Sequence, residues 1–289
     1  MERGVLHSGL GREFSFRYPA HRWIAGLTVA AGTTAWLVGL GWQRLSLGPA
    51  LQLAFSVAGG SFLAWTLGRE LDPDHPGAAF VGALMAVPLG IVAGGVGLLL
   101  GAWQLLFLRL VNRSTGVAVR PLESLVLVGL TLWLGWSIHP IIGLLATAAL
   151  LADGSLREGN GAHLIVGGTL GFFSLIWLLW LGPNALRWPA TDWLAAGLLS
   201  AGVFVGWALR QGPPASRADL TGRPLGRRRV LAAQLLAVLI GLGLLFALGP
   251  DGMWQSVPLW ATMVGVWLAA LVRWGKRANH EDAKDTKGA

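Results

Sequence analysis

Apolar residues fill this chain in long blocks, and polar residues gather in the gaps between them. A helix needs about 20 apolar residues to cross about 30 Å of hydrocarbon. Blocks close to that length lie at 23–42, 50–67, 162–182, 190–209, 230–249 and 257–273, and each predicts one transmembrane helix. Two further blocks have the wrong length. From Gly77 to Val111 no charge occurs before Arg109, and a single helix of that length would be about 50 Å long. Leu122 to Ala152 is too long for one crossing and short for two, and it is interrupted by Ser137-Ile138-His139-Pro140. Proline disfavours helix at the residue before it, so His139 is a natural break.

Dividing these blocks near Ala93-Gly94-Gly95 and at His139 predicts two tight helical hairpins, 78–111 and 122–152. Their helices would be 78–93, 95–111, 122–137 and 140–152. A re-entrant pair buried in protein is the alternative for 122–152. The expected fold is an all-α polytopic transmembrane bundle of about ten spans, a single domain over 22–273 with a loop at 210–229. A polar segment, 1–21, precedes it. The tail 274–289 mixes both signs of charge around few apolar residues, which predicts disorder.

The basic residues decide how many times the chain crosses. With both blocks as hairpins, all of the 22 Lys and Arg except Arg44 and Arg187 fall on one side. With both as single tilted helices, Arg109, Arg113 and Arg120 move across. With one hairpin only, the arginine-rich 210–229 loop opposes the arginine-rich N-terminus. The excess of basic residues on cytoplasmic loops therefore favours two hairpins, with both termini cytoplasmic at the plasma (inner) membrane. The N-terminal segment lacks the short apolar core and small-residue cleavage site of a signal peptide.

Composition agrees with this class. Charged residues make up 12% of the 289, half the share of about 25% in a soluble domain. Glycine (42) and tryptophan (16) are abundant; the first lets membrane helices approach closely and the second favours the interface. Gly90/Gly94, Gly97/Gly101, Gly167/Gly171 and Gly202/Gly206 have the GxxxG spacing. The absence of cysteine excludes disulfides and thiolate metal sites. The net charge of +8 is explained by orientation, so lipids are the expected partners and nucleic acid is not. A second copy or another membrane protein remains open as a partner.

The hairpin arrangement brings three polar clusters to the cytoplasmic face: Arg69 to His75, Arg109 with Asn112 to Gly116, and Asp153 to Asn160. Asp72, Asp74 and Asp153 are candidate ligands for Mg²⁺, which takes hard oxygen donors. Arg69, Arg113 and Arg157 are candidate phosphate binders through bidentate forks, supported by Asn112 and Ser114. Carboxylates, arginines and adjacent lipid suit a phosphorylated lipid, isoprenoid or similar anionic head group. The competing reading needs no ligand. Asp72-Pro73 or His75-Pro76 starts a helix, Asn112–Gly116 ends one, Asp153-Gly154 is a turn, and Arg69 and Arg157 pair locally with Asp72 and Asp153.

Other chemistries have less support. His139 stands alone, and no HxxxH or HExxH spacing marks a zinc site. No acidic residue falls in the middle of a span, which counts against a proton-coupled transporter. A transporter or flippase using broken helices stays open, as does an assembly role without a small-molecule site. Asp72-Pro73-Asp74 lacks the N-D-x-x-D-x-x-x-D spacing of aromatic prenyltransferases. Asp153-Gly154-Ser155-Leu156-Arg157 places its arginine one position early for the D-G-x-x-A-R of CDP-alcohol phosphotransferases.

Overall fold

A computed structural model describes residues 8–11, 14–182 and 186–285, with side chains to residue 275. Among the described residues there are eleven helices and no strand. They are α1 (Pro19–Gly41), α2 (Leu47–Leu71), α3 (Pro76–Val92), α4 (Leu98–Asn112), α5 (Pro121–Ser137), α6 (Ile141–Ser155), α7 (Ala162–Leu181), α8 (Thr191–Arg210), α9 (Arg227–Leu248), the short α10 (Pro250–Gln255) and α11 (Val257–Asp285). Six are long and apolar enough to cross a membrane: α1, α2, α7, α8, α9 and the first part of α11. The four shorter apolar helices, α3 to α6, come from the two blocks of awkward length. The chain is an α-helical membrane bundle, and its outer surface is apolar: Trp42, Phe55, Trp136, Phe172 and Trp180 are all exposed.

Both blocks divide where the sequence predicts. Gly94 (φ 71°) and Gly95 (φ 124°) take left-handed backbone after α3, a conformation that a side chain resists. At the second break the Ile141 N–H donates to His139 Nδ1 at 3.2 Å, so this histidine holds a helix start. The first hairpin is not tight, however. α3 and α4 scarcely touch; α3 lies between α2 and α11, and α4 packs on α2 and α9. The reason is residue size. A Cβ on Gly265 of α11 would lie 2.5 Å from the Gly82 nitrogen, and one on Gly68 of α2 would lie 2.6 Å from Ala79 Cα. α3 is therefore drawn onto its two neighbours by backbone contact. The turn that follows it is pinned to α2, with the Val96 N–H donating to Ser56 Oγ at 2.6 Å. Ser56 lies about two and a half turns inside α2, so this turn is inset from the end of that helix.

Among the GxxxG pairs, Gly167 and Gly171 serve one contact, receiving Leu150 and Thr147 of α6. Gly202 and Gly206 meet nothing. The core centres on α4 and α9, with Trp103, Phe107, Leu108, Ile240 and Leu244 fully buried. α11 is assigned as helix to Asp285, into the segment 274–289. Extending an existing helix adds one bond per residue without the cost of a new nucleus, and Ala, Glu, Lys and Arg are good helix formers.

The two ends of the bundle differ. Trp136 meets Trp177 at the ends of α5 and α7, and Trp193 meets Trp254 beside the start of α11. That end carries an aromatic girdle of the kind found at a membrane interface. The other end gathers the charges.

Candidate functional site

At the charged end, the C-terminal ends of α2, α4 and α6 meet the N-terminal ends of α7 and α9. Three acids are buried here, Glu70, Asp72 and Asp153, and each meets a base from another helix. Glu70, at the end of α2, receives Arg109 Nε at 3.1 Å and Asn112 Nδ2 at 3.1 Å, both from α4. Asp72 faces His75 Nδ1 at 2.8 Å and Arg273 of α11 at 3.3 Å. Burial pushes the Asp72 carboxyl above its ordinary pKa, against the opposing pull of His75 and Arg273. Asp153, at the end of α6, is the hub. Its Oδ1 receives Arg229 Nη1 at 2.9 Å and lies 3.3 Å from Arg113 Nε, while its Oδ2 faces His163 Nδ1 at 2.8 Å.

The geometry follows from local structure. α4 ends in a left-handed residue, Arg113 (φ 51°), which turns its side chain back toward α6. Arg229, in the first turn of α9, also donates to the Val111 and Arg157 carbonyls at 2.9 Å each, so one guanidinium joins three segments. Two straps cover this end. Residues 8–10 lie across it: the Gly9 carbonyl accepts from Thr115 Oγ1 at 2.8 Å, the Leu10 carbonyl accepts from Arg109, and Glu123 binds Ser8 and the Gly9 N–H. The 212–226 loop is the second strap. Asp74 accepts the Ala215 and Ser216 N–H groups at 3.0 and 2.8 Å, and Asp219 and Leu220 donate to the Ser114 and Thr115 carbonyls. Burial alone would raise the Asp74 carboxyl; the bonds from Ser216 and Ala215 outweigh it and hold the group below its usual value.

Between the 212–226 loop, the end of α4 and the α6–α7 loop lies a cleft of about 510 Å³. Six arginines line it, Arg113, Arg157, Arg223, Arg227, Arg228 and Arg229, beside Asn112 and a single acid, Glu158. Arg113 and Arg229 are both directed at Asp153, one carboxylate between two guanidiniums. Arg157, Arg223, Arg227 and Arg228 are exposed, and none pairs with a carboxylate among the described residues. Its rim holds two non-glycine residues in left-handed backbone, Arg113 and Glu158 (φ 65°); residues of this kind concentrate at ligand sites.

The chain matches no protein-family model, no curated protein and no solved structure.

The predicted site residues divide accordingly. Asn112, Arg113 and Arg157 share the cleft. Ser114 is buried beside it, with its carbonyl bound to the loop. Arg69 lies elsewhere, 5.7 Å over the Trp65 ring. Asp72, Asp74 and Asp153 do not converge: one is held by His75 and Arg273, one by loop amides and one by Arg113, Arg229 and His163. No group of three His, Asp or Glu able to hold a metal ion occurs among the described residues. The expected local pairs also differ, since Asp72 takes Arg273 and Asp153 takes bases from α4, α7 and α9 rather than Arg69 and Arg157. Asp153 is inside α6 and not in a turn, and Asp72 follows α2 without capping α3, which starts at Pro76.

Arg223, Arg227, Arg228 and Arg229 were the missing part of the arginine set. Their signal was visible as a basic run beside an apolar block, but orientation explains such a run equally well. His163 carried no signal; only folding places it on Asp153.

Proposed function

We propose that the protein crosses the membrane ten times with both termini cytoplasmic, and binds a phosphorylated anionic head group in the arginine-lined cleft. The observation that carries this reading is the charge balance of the cleft: four guanidiniums with no carboxylate partner among the described residues, around one glutamate, in a volume of about 510 Å³. Small-molecule sites span about 300–1,000 Å³. Guanidinium forks match phosphate oxygens in shape as well as charge. The site lies at the end of an apolar bundle, so a lipid phosphate and a soluble phosphate are its two sources of ligand.

The test uses the full-length protein in phosphatidylcholine nanodiscs. Phosphatidic acid added to the disc, or inorganic pyrophosphate added to the buffer, is scored by native mass spectrometry and calorimetry. Each charge-assisted bond contributes about 1.5–3 kcal/mol, so Arg157→Gln with Arg228→Gln should weaken binding at least tenfold. Preference for phosphatidic acid assigns a lipid, and equal or better binding of pyrophosphate assigns a soluble ligand. Unchanged binding in the double variant refutes the cleft. Movement of labelled phosphatidic acid between leaflets would assign a flippase, which the two divided blocks favour as the second reading. The topology is tested separately. The chain has no cysteine, so single cysteines replacing Arg157 and Arg44 should react with impermeant maleimide from opposite sides.

A further inference from the structure

The carboxylate that pairs with one wall of the cleft also has a second face. Asp153 Oδ1 is turned to Arg113 and Arg229, and Oδ2 is turned to α7, where it lies 2.8 Å from His163 Nδ1. A carboxylate at that distance fixes the proton on Nδ1 and leaves Nε2 as an acceptor. Nε2 in turn lies 2.9 Å from Ser124 Oγ, in the first turn of α5, whose hydroxyl is also 3.2 Å from the Arg120 carbonyl; the shorter contact is the one to Nε2. Asn160 completes the group. Its Oδ1 accepts the Ala162 N–H at 3.1 Å, which turns its Nδ2 toward the same place, 3.4 Å from Nε2.

We propose that Ser124, His163 and Asp153 form a nucleophilic triad for acyl transfer, with Asn160 as oxyanion donor, acting on a carboxylic ester whose acyl chain lies in the bilayer. A hydroxyl bonded to an imidazole that is itself oriented by a carboxylate is recognised by geometry and roles, whatever the fold or chain order. Asp153 is the positioning residue. Its burial among Arg113 and Arg229 fixes its orientation, and His163 is nearly fully buried with it. Ser124 alone of the three reaches the surface.

The surroundings define the substrate. Ser124 is half-buried at the edge of the outward face of α5, where Leu122 and Leu125 are 71% and 67% exposed, and Ile165 of α7 is 74% exposed. This is an apolar outer surface within one turn of the wet end of a helix. The ester carbonyls of lipids lie at that depth, between head group and hydrocarbon.

The step balances with water as the only co-reactant. Ser124 Oγ bonds to the ester carbonyl carbon as its proton passes to His163 Nε2. The oxyanion that forms accepts from Asn160 Nδ2. Collapse breaks the ester C–O bond, and the alcohol leaves with the proton from Nε2. Water then attacks the acyl-serine carbonyl and gives its proton to Nε2. Release of the acid returns that proton to Ser124 Oγ. Nothing is oxidised or reduced.

The same bonds would also tie α5 to α6 and α7 in a protein with no such activity, so the test must separate reaction from support. A fluorophosphonate probe loses fluoride to an activated serine and to little else. The full-length protein in detergent micelles is treated with the probe, digested and mapped, and its melting temperature is recorded beside each variant's. The expected result is an adduct on Ser124. It should be lost in Ser124→Ala and slowed by about 100-fold in Asn160→Ala, the cost of removing one oxyanion donor. Both variants should melt within a few degrees of wild type. A folded wild-type protein that gains no adduct at Ser124 overturns the proposal. So does an Asn160→Ala variant that labels at the wild-type rate. The proposal does not depend on anion binding in the cleft: loss of lipid retention with labelling intact refutes only the cleft, and the reverse outcome refutes only the triad.

Discussion

Replacing Asp153 by asparagine tests whether the charged end is a supporting network. The change keeps shape and removes one negative charge. Asp153 is fully buried, while Arg113 and Arg229 are each 11% exposed and both are directed at its Oδ1. Asparagine leaves two guanidiniums facing a neutral amide with little water to replace the lost charge. Removing one partner of a buried ion pair costs about 3–5 kcal/mol. At about 1.4 kcal/mol per factor of ten, the folded-to-unfolded ratio should fall by roughly two to four orders of magnitude. That is a large fraction of the 5–15 kcal/mol that holds a typical domain together. The assay is reversible unfolding in mixed micelles with increasing sodium dodecyl sulfate, read by tryptophan fluorescence. Asp251→Asn is the internal control. Asp251 pairs with Arg187 at 3.7 Å with both side chains about two-thirds or more exposed, and an exposed pair contributes about 1 kcal/mol at most. If Asp153→Asn and Asp251→Asn shift the midpoint equally, burial of the network is not what stabilises this end.

Three further outcomes are expected. Gln104 is fully buried and both its amide atoms lack a partner among the described residues, so Gln104→Leu should leave stability unchanged or raise it by about 1 kcal/mol in the same titration. Gly265→Leu should destabilise by at least about 2 kcal/mol, because even a Cβ there would lie 2.5 Å from the Gly82 nitrogen; the titration reads this too, and a neutral result refutes the close crossing of α3 and α11. Asp74 titrates below its ordinary value of 3.8 when folded, so the hold it exerts on the loop is present above that value and is lost as pH falls through the lower, folded-state pKa. Hydrogen exchange at Ala215 and Ser216, corrected for its intrinsic pH dependence, should therefore accelerate below pH 3.8 in wild type and be fast at every pH in Asp74→Ala.

The apolar blocks alone determined the class and the positions of the long helices. The hydrocarbon thickness sets a minimum length, and glycine or proline marks where a longer block must break. Gly94-Gly95 and His139-Pro140 were legible for that reason. The charge pattern also indicated which helix ends carry the polar chemistry, because charge is expelled from the apolar spans. What it left open was which charges meet. Asp153 is 76 residues from Arg229 and 40 from Arg113 along the chain, and it lies against both. Asp74 sits two residues from Asp72, yet it is held by the Ala215 and Ser216 amides while Asp72 is held by His75 and Arg273. Partner choice at a helix end depends on rotation about the axis and on which neighbour lies alongside. Gly68, Gly82 and Gly265 set those quantities by letting backbones touch at chosen places. Such contacts are a property of surfaces in three dimensions. The sequence therefore determined a membrane bundle with charge at its helix ends, and only tertiary packing turned that charge into an arginine-lined cleft backed by a serine, a histidine and an aspartate.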